Sequence, residues 1–303
     1  MQFIINESVV DKMYILENET ILISIREHGA ELREIMGKKE NTQYLWNGDS
    51  KYWKYSSPIL FPIVGQVVDS TYRVNGKSYQ LPAHGFGRIS DFTVIHQMKD
   101  LITFELKYSA QSMKIYPYRF ALRITYAIGK DSVKVDWKVI NLDDKNIYFS
   151  IGAHPAFMCP INSKDRLEDC YLEFNQVEDA EILKVTPECY LSHDRAMYLE
   201  HTQKLPLSQE VFKNGVLIFD QLKSDTITIR SNNDSRTLSV RAKGFPYWGL
   251  WSKETGAPFI CIEPWYGHFD YADFTGDFSE KVGNCQLAPG RSFDCSYEIL
   301  IGQ

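Results

Sequence analysis

The sequence of 303 residues predicts an all-β fold, a large antiparallel β-sandwich. Two observations predict it: apolar and polar residues alternate with a period of two along most of the chain, and turn residues interrupt this alternation at short intervals. Helical periodicity is confined to a turn or two, expected around residues 167–170 or 207–212. We find no internal repeat and no Gly/Ser-rich linker, so we predict a single domain over residues 1–303.

The strands follow one another with little between them. The clearest hairpin joins residues 70–74 to residues 77–81 through Asn75-Gly76, a dipeptide that favours the tight type I′ turn. Polar turn residues separate the other segments in the same style. Further strands are predicted, in chain order, at residues 92–96, 101–108, 119–128, 132–139, 148–154, 216–219, 226–229, 237–240, 259–262 and 296–301.

Composition and charge exclude several classes of function. A hydrophobic content of 44% is ordinary for a packed protein and excludes a disordered chain. A net charge of -6 argues against binding to nucleic acid or to an anionic membrane surface. No apolar run approaches the ~20 residues of a membrane span, and acidic residues interrupt the first apolar stretch too early for a signal peptide. We therefore expect a cytoplasmic protein whose six scattered cysteines are reduced and hold no structural zinc.

Two candidate acid/base residues each stand directly before a proline. His154 lies in Gly-Ala-His-Pro-Ala-Phe, and Glu263 lies in Cys-Ile-Glu-Pro-Trp-Tyr-Gly. Because the residue before a proline is restricted to extended conformations, each side chain is expected at the end of a strand, held in a fixed direction. One histidine and one carboxylate held in this way suit proton transfer in two directions at once.

Each of the two residues also has a structural explanation. His154 could be satisfied by a neighbouring carbonyl at a strand end, whereas a ligand could use the space that Gly152 leaves beside the imidazole. Alternation places Glu263 on the same face as Phe259 and Cys261, where desolvation would raise the pKa of the carboxyl and make it a base near neutral pH. Alternatively, Glu263 lies in water just past the sheet edge.

A glycine-rich loop supplies a second histidine and an arginine. His84 and Arg88 lie in His-Gly-Phe-Gly-Arg, whose glycines have the wrong spacing for a nucleotide fingerprint and would instead let backbone approach a ligand. Arg88 could bind a sugar hydroxyl, a phosphate or a surface acid. Trp265 offers an aromatic wall of the kind on which sugars stack, although most tryptophans are core residues. An iron site from His84, His154 and Glu263 is conceivable, but it lacks two ligands close in sequence.

Four segments together resemble the aldose 1-epimerase family, within the galactose mutarotase-like superfamily and in its bacterial branch associated with lactose and tagatose operons. The similarity runs nearly end to end. It is carried by residues 57–65 (Ser-Pro-Ile-Leu-Phe-Pro-Ile-Val-Gly), 84–88, 152–157 and 261–267.

The resemblance implies a galactose mutarotase-like supersandwich with a sugar bound on a concave sheet face. By the family pattern, Glu263 is the catalytic base and His154 the catalytic acid, and His84 holds the sugar near its anomeric end. Asp220 corresponds to an aspartate that binds ring hydroxyls. Gln66 stands where the family commonly has an arginine, which bears on sugar affinity or substrate choice, because an amide cannot supply a charged, forked donor.

The implied activity is the interconversion of α and β anomers of a hexose such as galactose or glucose, with a small-molecule sugar as the partner. No cofactor and no metal are expected, because every step is a proton transfer. Two alternatives stay open: a hexose-6-phosphate 1-epimerase in which Arg88 holds the phosphate, and a non-catalytic carbohydrate-binding or regulatory homologue. Neutral hexoses are expected to be preferred over 6-phosphates, and the protein is expected to be a monomer or a homodimer.

Overall fold

A computed structural model of the protein describes residues 12–302. The first eleven strands are β1 (Met13–Glu17), β2 (Ile21–Arg26), β3 (Glu31–Gly37), β4 (Thr42–Gln43), β5 (Ile59–Leu60), β6 (Thr71–Val74), β7 (Lys77–Gln80), β8 (Thr93–Gln97), β9 (Leu101–Lys107), β10 (Phe120–Ile128) and β11 (Ser132–Asn141). The others are β12 (Ile147–Phe149), β13 (Ile151–Ala153), β14 (Ala156–Met158), β15 (Cys170–Val185), β16 (Leu191–Pro206), β17 (Leu217–Phe219), β18 (Thr226–Ser231), β19 (Thr237–Arg241), β20 (Tyr247–Trp251), β21 (Phe259–Tyr266), β22 (Cys285–Leu287) and β23 (Ser292–Gly302).

Helical structure in the described residues is short. It comprises α1 (Ser112–Ile115) and the 3₁₀ turns Val68–Ser70, Gly87–Ile89, Leu167–Asp169, Gln209–Phe212 and Phe278–Glu280. Two of these turns lie where the sequence predicted a turn or two of helix. Residues 12–302 contain no helix with the length and hydrophobicity of a membrane span. The N-terminal segment that argued against a signal peptide lies almost wholly outside the described residues.

One large antiparallel sheet organises the fold. Its fifteen strands include the path β5-β13-β21-β20-β17-β15-β18-β19-β23-β11-β10-β9-β8, with β14 paired to β21 and β16 to β15. A second sheet, β1 to β4, packs against it: the Tyr14 and Phe104 rings lie 5.4 Å apart, and the Tyr126 hydroxyl donates to the Ala30 carbonyl at 2.8 Å. Buried aliphatic and aromatic side chains from both sheets form one continuous core. The predicted antiparallel β-sandwich is therefore confirmed.

Local signals predicted local structure correctly. The Asn75-Gly76 hairpin joins β6 to β7, with both turn residues at positive φ (49° and 76°), as the type I′ turn requires. The other predicted strands are present with small shifts at their ends. All six cysteines are free thiols, in agreement with the expected reduced state.

Two strand predictions need correction. The predicted strand over residues 148–154 is two strands, because the chain leaves its pairing with β22 at Phe149 and joins the large sheet at Ile151; the Ser150 N–H between them donates to the Pro62 carbonyl at 2.8 Å. Strand β21 does not end at Glu263 but continues through Pro264 to Tyr266. Pairing with β20 continues on one side of β21, so the strand survives the proline.

Candidate active site

The sheet register places His154 directly opposite Glu263. Ala156 pairs with Cys261, and Gly152 pairs with Trp265. These two pairs share one register, so the position facing Glu263 across the ladder is residue 154. Directly opposite residues of neighbouring antiparallel strands project to the same face with short Cβ separations. The fold thus brings together two residues that are 109 positions apart in the sequence.

The ladder is interrupted at the site itself. Strand β13 ends at Ala153 and β14 begins at Ala156, so His154 and Pro155 stand outside the regular pairing. Neither Pro155 nor Pro264 has an N–H to donate to a partner strand. The ladder between β21 and β13/β14 is therefore interrupted where the two functional side chains emerge, while the pairing of β21 with β20 continues.

The His154–Glu263 pair is buried, and its hydrogen-bonding capacity is not fully used. The His154 Nδ1 and Glu263 Oε2 atoms lie 3.4 Å apart, and the side chains are 10% and 1% exposed. Neither atom has a hydrogen-bond partner of good geometry among the described residues. Buried polar atoms are nearly always bonded in folded proteins, and exceptions often mark functional positions. The pair is thus available to a ligand that brings its own hydroxyl groups.

Burial controls the ionisation of both groups. Burial raises the pKa of the Glu263 carboxyl well above its usual value, and the Trp265 indole N–H opposes this shift in part. Burial also lowers the pKa of His154 well below 6.5, and the nearby His84 and Arg88 lower it further. Both shifts favour a pair that is neutral overall and holds one proton between its two members. Strong desolvation with a specific charge partner in a cleft is typical of catalytic groups.

His84 is held as a neutral hydrogen-bond donor. Its backbone N–H donates to the Gly65 carbonyl at 2.5 Å, and the Gly65 N–H donates to His84 Nδ1 at 3.1 Å. Because Nδ1 accepts, the ring proton resides on Nε2. Burial, followed by the charge of Arg88, lowers the pKa of His84 to about 3. The ring stands edge-on to His154 with centroids 5.5 Å apart.

The glycines around His84 pack closely against the segment that contains Phe61. Gly85 has φ 68°, and a side chain there would collide with the Phe61 backbone. The two residues form an isolated parallel bridge. The close approach at Gly85 is thus to the Phe61 backbone, and this packing fixes the loop that presents His84. The expectation that these glycines let backbone approach a ligand stays a prediction.

The protein engages the Gln66 amide and part of the Arg88 guanidinium, whose buried Nε has no hydrogen-bond partner among the described residues. Arg88 Nη2 donates to the Ala83 carbonyl at 2.8 Å, and the guanidinium lies 5.0 Å from the Tyr55 ring centroid. The Gln66 amide donates to the backbone carbonyls of Glu188 and Cys189, the latter at 3.2 Å. Gln66 therefore ties down the turn between β15 and β16, a role that its sequence position did not suggest.

A cavity of about 400 Å³ joins most of the predicted residues. This volume lies within the ~300–1,000 Å³ of typical small-molecule sites. Six of the seven predicted site residues line it: Gln66, His84, Arg88, His154, Glu263 and Trp265. Asp220 does not line it; instead its two carboxylate oxygens accept from Arg195 Nη1 and Nη2 at 2.9 and 2.5 Å. A sugar-binding role for Asp220 stays a prediction.

Trp265 lies deeper than its predicted role suggests. The side chain is 1% exposed, and its Nε1–H donates to the Ala153 carbonyl at 3.1 Å. Its ring fills the space beside Gly152 and Gly249, where any side chain would collide with it. The space that Gly152 leaves is thus occupied by an indole, contrary to the expectation that a ligand could use it.

Two partly exposed tryptophans that the sequence did not single out flank the imidazole. The Trp53 ring lies 4.7 Å from the His154 ring with 32° between their planes, and Trp251 stands edge-on at 5.5 Å. Both line the cavity. Trp53 comes from the irregular segment after β4, and no periodic pattern marks that segment. Its aromatic cluster of Tyr52, Trp53 and Tyr55 was the one available signal.

One group of side chains could in principle hold a metal ion. The ligand atoms of His154, Cys261 and Glu263 lie within 4.8 Å of one another, and no other such group occurs among residues 12–302. Imidazole, thiolate and carboxylate are all ligands that Zn²⁺ accepts. The expectation that the protein needs no metal therefore stays a prediction, and it calls for a chelator control in any assay.

The fold and the site define an antiparallel β-sandwich with a buried histidine–carboxylate pair in a ligand-sized cavity. The family model described as Aldose 1-epimerase matches residues 12–284. The chain therefore belongs to the aldose 1-epimerase family, and the resemblance drawn from the sequence is confirmed.

Relatives with similar sequences and structures support this assignment. The chain is 33% identical over 294 residues to protein LacX of Lactococcus lactis subsp. lactis, covering 94% of this chain and 98% of that protein. A galactose mutarotase related enzyme from Lactobacillus acidophilus has a TM-score of 0.92 and 29% identity, covering 96% and 98% of the two chains. A galactose mutarotase-like protein from Lactobacillus casei gives 0.91 and 28%, covering 96% and 100%.

Proposed function

We propose that the protein is an aldose 1-epimerase that interconverts the α and β anomers of a neutral hexose such as galactose or glucose. One observation carries the proposal: a buried histidine and a buried carboxylate face each other across 3.4 Å in the cavity, each with an unpartnered atom. Anomerisation needs one group to remove a proton and one to supply a proton on opposite sides of C1. The family assignment supports the same chemistry.

The pair has the proton count that the reaction needs. With one proton shared between them, the ionised form has a Glu263 carboxylate and a His154 imidazolium. Glu263 then takes the proton of the C1 hydroxyl while His154 protonates the ring oxygen, so the bond from C1 to the ring oxygen breaks and an aldehyde forms. Rotation about the C1–C2 bond exposes the other carbonyl face, and the reverse transfers close the other anomer. No proton is gained or lost overall.

The neighbouring groups would hold the sugar during this exchange. The His84 Nε2–H can donate to an oxygen near the anomeric centre without competing for the proton, because burial keeps the pKa of His84 at about 3. Trp53 and Trp251 present aromatic surface beside His154. Sugars pack their C–H faces on such rings. These contacts would orient the hexose while leaving the proton transfers to the pair.

Cavity charge favours a neutral sugar over a 6-phosphate. Arg88 is the single cation lining the cavity among the described residues, and its guanidinium already contacts Ala83 and Tyr55. Phosphate groups are normally bound by several convergent Arg or Lys donors. Gln66 supplies no charge, and its amide is engaged by backbone carbonyls.

Polarimetry with freshly dissolved α-galactose, α-glucose and their 6-phosphates tests the proposal directly. The protein should be dialysed against a chelator beforehand, and we expect its rate to be unaffected. Neutral hexoses should show the higher kcat/KM. A tenfold preference for a phosphorylated sugar would instead support a hexose-6-phosphate epimerase, and binding without any anomerisation would support a non-catalytic carbohydrate-binding protein.

A further inference from the structure

A buried ion pair lies behind one wall of the cavity. The Lys281 Nζ and Asp270 Oδ1 atoms are 2.7 Å apart, and the two side chains are only 2% and 3% exposed. Lys281 Nζ also donates to the His268 carbonyl at 2.8 Å. The lining of the cavity includes neither member of the pair, and the proposed proton transfers do not use them.

Desolvation makes such a pair costly for the fold. Burial lowers the pKa of Lys281, and the charge of Asp270 opposes this shift. Exchange of a buried ion pair for apolar residues of similar volume is often neutral or stabilising, whereas loss of one partner leaves an uncompensated buried charge. Stability alone therefore gives no reason for a charged pair at this position, and its hydrogen bonds to the neighbouring backbone do.

Asp270 joins two segments of the cavity wall. Its carboxylate Oδ2 accepts from the Val68 N–H at 3.1 Å, and its backbone N–H donates to the Gln66 carbonyl at 3.0 Å. Its carbonyl accepts from the Leu191 N–H at 2.8 Å. Two stretches of backbone are thereby fixed to one residue, and each contributes a side chain to the cavity lining, Gln66 from the first and Cys189 from the second.

The same wall reaches His84. Phe269, directly before Asp270, lines the cavity and packs so closely on Gly65 that a side chain at that glycine would collide with its ring. Gly65 in turn exchanges two hydrogen bonds with His84, one of which fixes the imidazole tautomer. A continuous set of contacts thus runs from the ion pair to the group that would hold the sugar near its anomeric centre.

We infer that Lys281 and Asp270 are positioning residues for the proposed active site, because they hold the cavity wall around Gln66 and Phe269 in the geometry that binds the sugar. This inference rests on the proposed function. Neither residue touches the sugar or the reacting atoms, so both act through the backbone that Asp270 fixes. A misplacement of about 1 Å caused by a distant substitution can cost roughly 10²-fold in rate. Changes at the pair should therefore weaken sugar binding more than they slow the proton transfers.

Exchanging both charged residues separates positioning from stability. Asp270→Leu combined with Lys281→Met leaves no unpaired buried charge, so its Tm should exceed that of either single variant, each of which should lower Tm by about 5–10 °C. Without the carboxylate, the Val68 N–H loses its acceptor. The double variant should therefore raise KM in polarimetry about tenfold and change kcat less than threefold. A KM that recovers together with Tm would show that the pair only stabilises the fold, and would overturn the inference.

Val68→Pro is a second variant, and it leaves both charges in place. It removes the N–H that Asp270 accepts, and Val67 already has the extended conformation (ψ 153°) that a following proline requires. The same rise in KM is expected, and an unchanged KM would contradict the inference even if the double variant failed to fold. Glu178→Gln is the control, because it perturbs a buried carboxylate outside the cavity; its Tm should fall without a change in KM.

Affinity and turnover distinguish failure of this inference from failure of the proposed function. Tryptophan fluorescence, reporting on Trp53 and Trp251 in the cavity, gives a Kd for galactose and for glucose without any turnover. A weaker Kd in the double variant, with no anomerisation by the wild type, would reject the epimerase and retain the positioning role. Anomerisation by the wild type with the same Kd in every variant would do the reverse.

Discussion

Replacing Glu263 by glutamine separates catalysis from folding. The substitution keeps the size and shape of a side chain that is 1% exposed, so it opens no cavity. It removes the group that accepts the C1 hydroxyl proton. Loss of a positioned base typically costs roughly 10²–10⁴ in rate, which corresponds to about 3–5 kcal/mol of transition-state stabilisation. We expect kcat to fall by this factor.

The same substitution should stabilise the fold at neutral and alkaline pH. Burial raises the folded-state pKa of Glu263 above its usual value near 4.5. Below pH 4.5 the carboxyl is protonated in both the folded and the unfolded state, so its contribution to stability is fully present. As the pH rises toward the folded-state pKa, this contribution is lost, because the unfolded state ionises first. Each tenfold difference in proton affinity between the folded and unfolded states corresponds to about 1.4 kcal/mol. Glutamine has no such loss. Glu263→Gln should therefore raise Tm at pH 8 and leave it nearly unchanged at pH 4.

Glu178→Gln is the matched control. Glu178 is another fully buried glutamate, but its carboxylate accepts from the Ser224 and Lys223 backbone N–H groups at 2.7 and 3.1 Å and lies outside the cavity. Glutamine would turn an NH₂ toward one of these donors. An unsatisfied buried group costs about 1–3 kcal/mol, so this variant should lower Tm and keep its kcat.

Two measurements test these predictions. Polarimetry of α-galactose and α-glucose gives the rate, and thermal unfolding followed by circular dichroism gives Tm. The two glutamine variants should show opposite effects, one on rate and the other on stability. Retention of more than a tenth of the wild-type rate by Glu263→Gln would refute the assigned base. A Tm at pH 8 that falls as it does for Glu178→Gln would refute the claim that the buried carboxyl destabilises the fold.

Three further predictions concern pH, packing and sugar contacts. The kcat/KM profile should keep a broad plateau, with an alkaline limb at the raised pKa of Glu263 and an acid limb well below 6.5 for His154; a fall centred at 6.5 would contradict this. Gly249→Ala would push a methyl into the Trp265 ring and should destabilise the fold by about 1–3 kcal/mol in denaturant unfolding. Asp220→Asn should change KM less than twofold, because arginine already engages both carboxylate oxygens; a tenfold rise would support sugar binding.

The parts of the fold that the sequence predicted are those with local causes. The Asn75-Gly76 turn and the period-two alternation of β10 and β11 depend on neighbouring residues, and both are present in the structure. The division of residues 148–154 into β12 and β13 depends on which distant strands each half pairs with. No local pattern contains that information, because β12 pairs with β22 near the end of the chain.

The candidate site was partly predictable for the same reason. The proline after Glu263 correctly indicated extended backbone, because Glu263 lies within β21, but the expected strand end is wrong, because β21 continues to Tyr266. The pairing of His154 with Glu263 depends on register across β13, β14 and β21, which the sequence does not reveal. Trp53 was missed because an irregular segment brings it to the imidazole. From the sequence we considered only that Gln66 carries no charge. In the structure its amide donates to backbone carbonyls.

The register and the burial together explain why two weakly ionised groups can catalyse a reversible reaction. In water, a glutamate and a histidine would both be charged at mildly acidic pH, and each would be solvated. Here burial disfavours the charged form of both groups. The pair therefore keeps one proton and no net charge over a wide pH range. A reaction that takes one proton from a sugar and returns another leaves that count unchanged. The same pair can therefore open the ring from either anomer, with the His154 and Glu263 roles exchanged in closure.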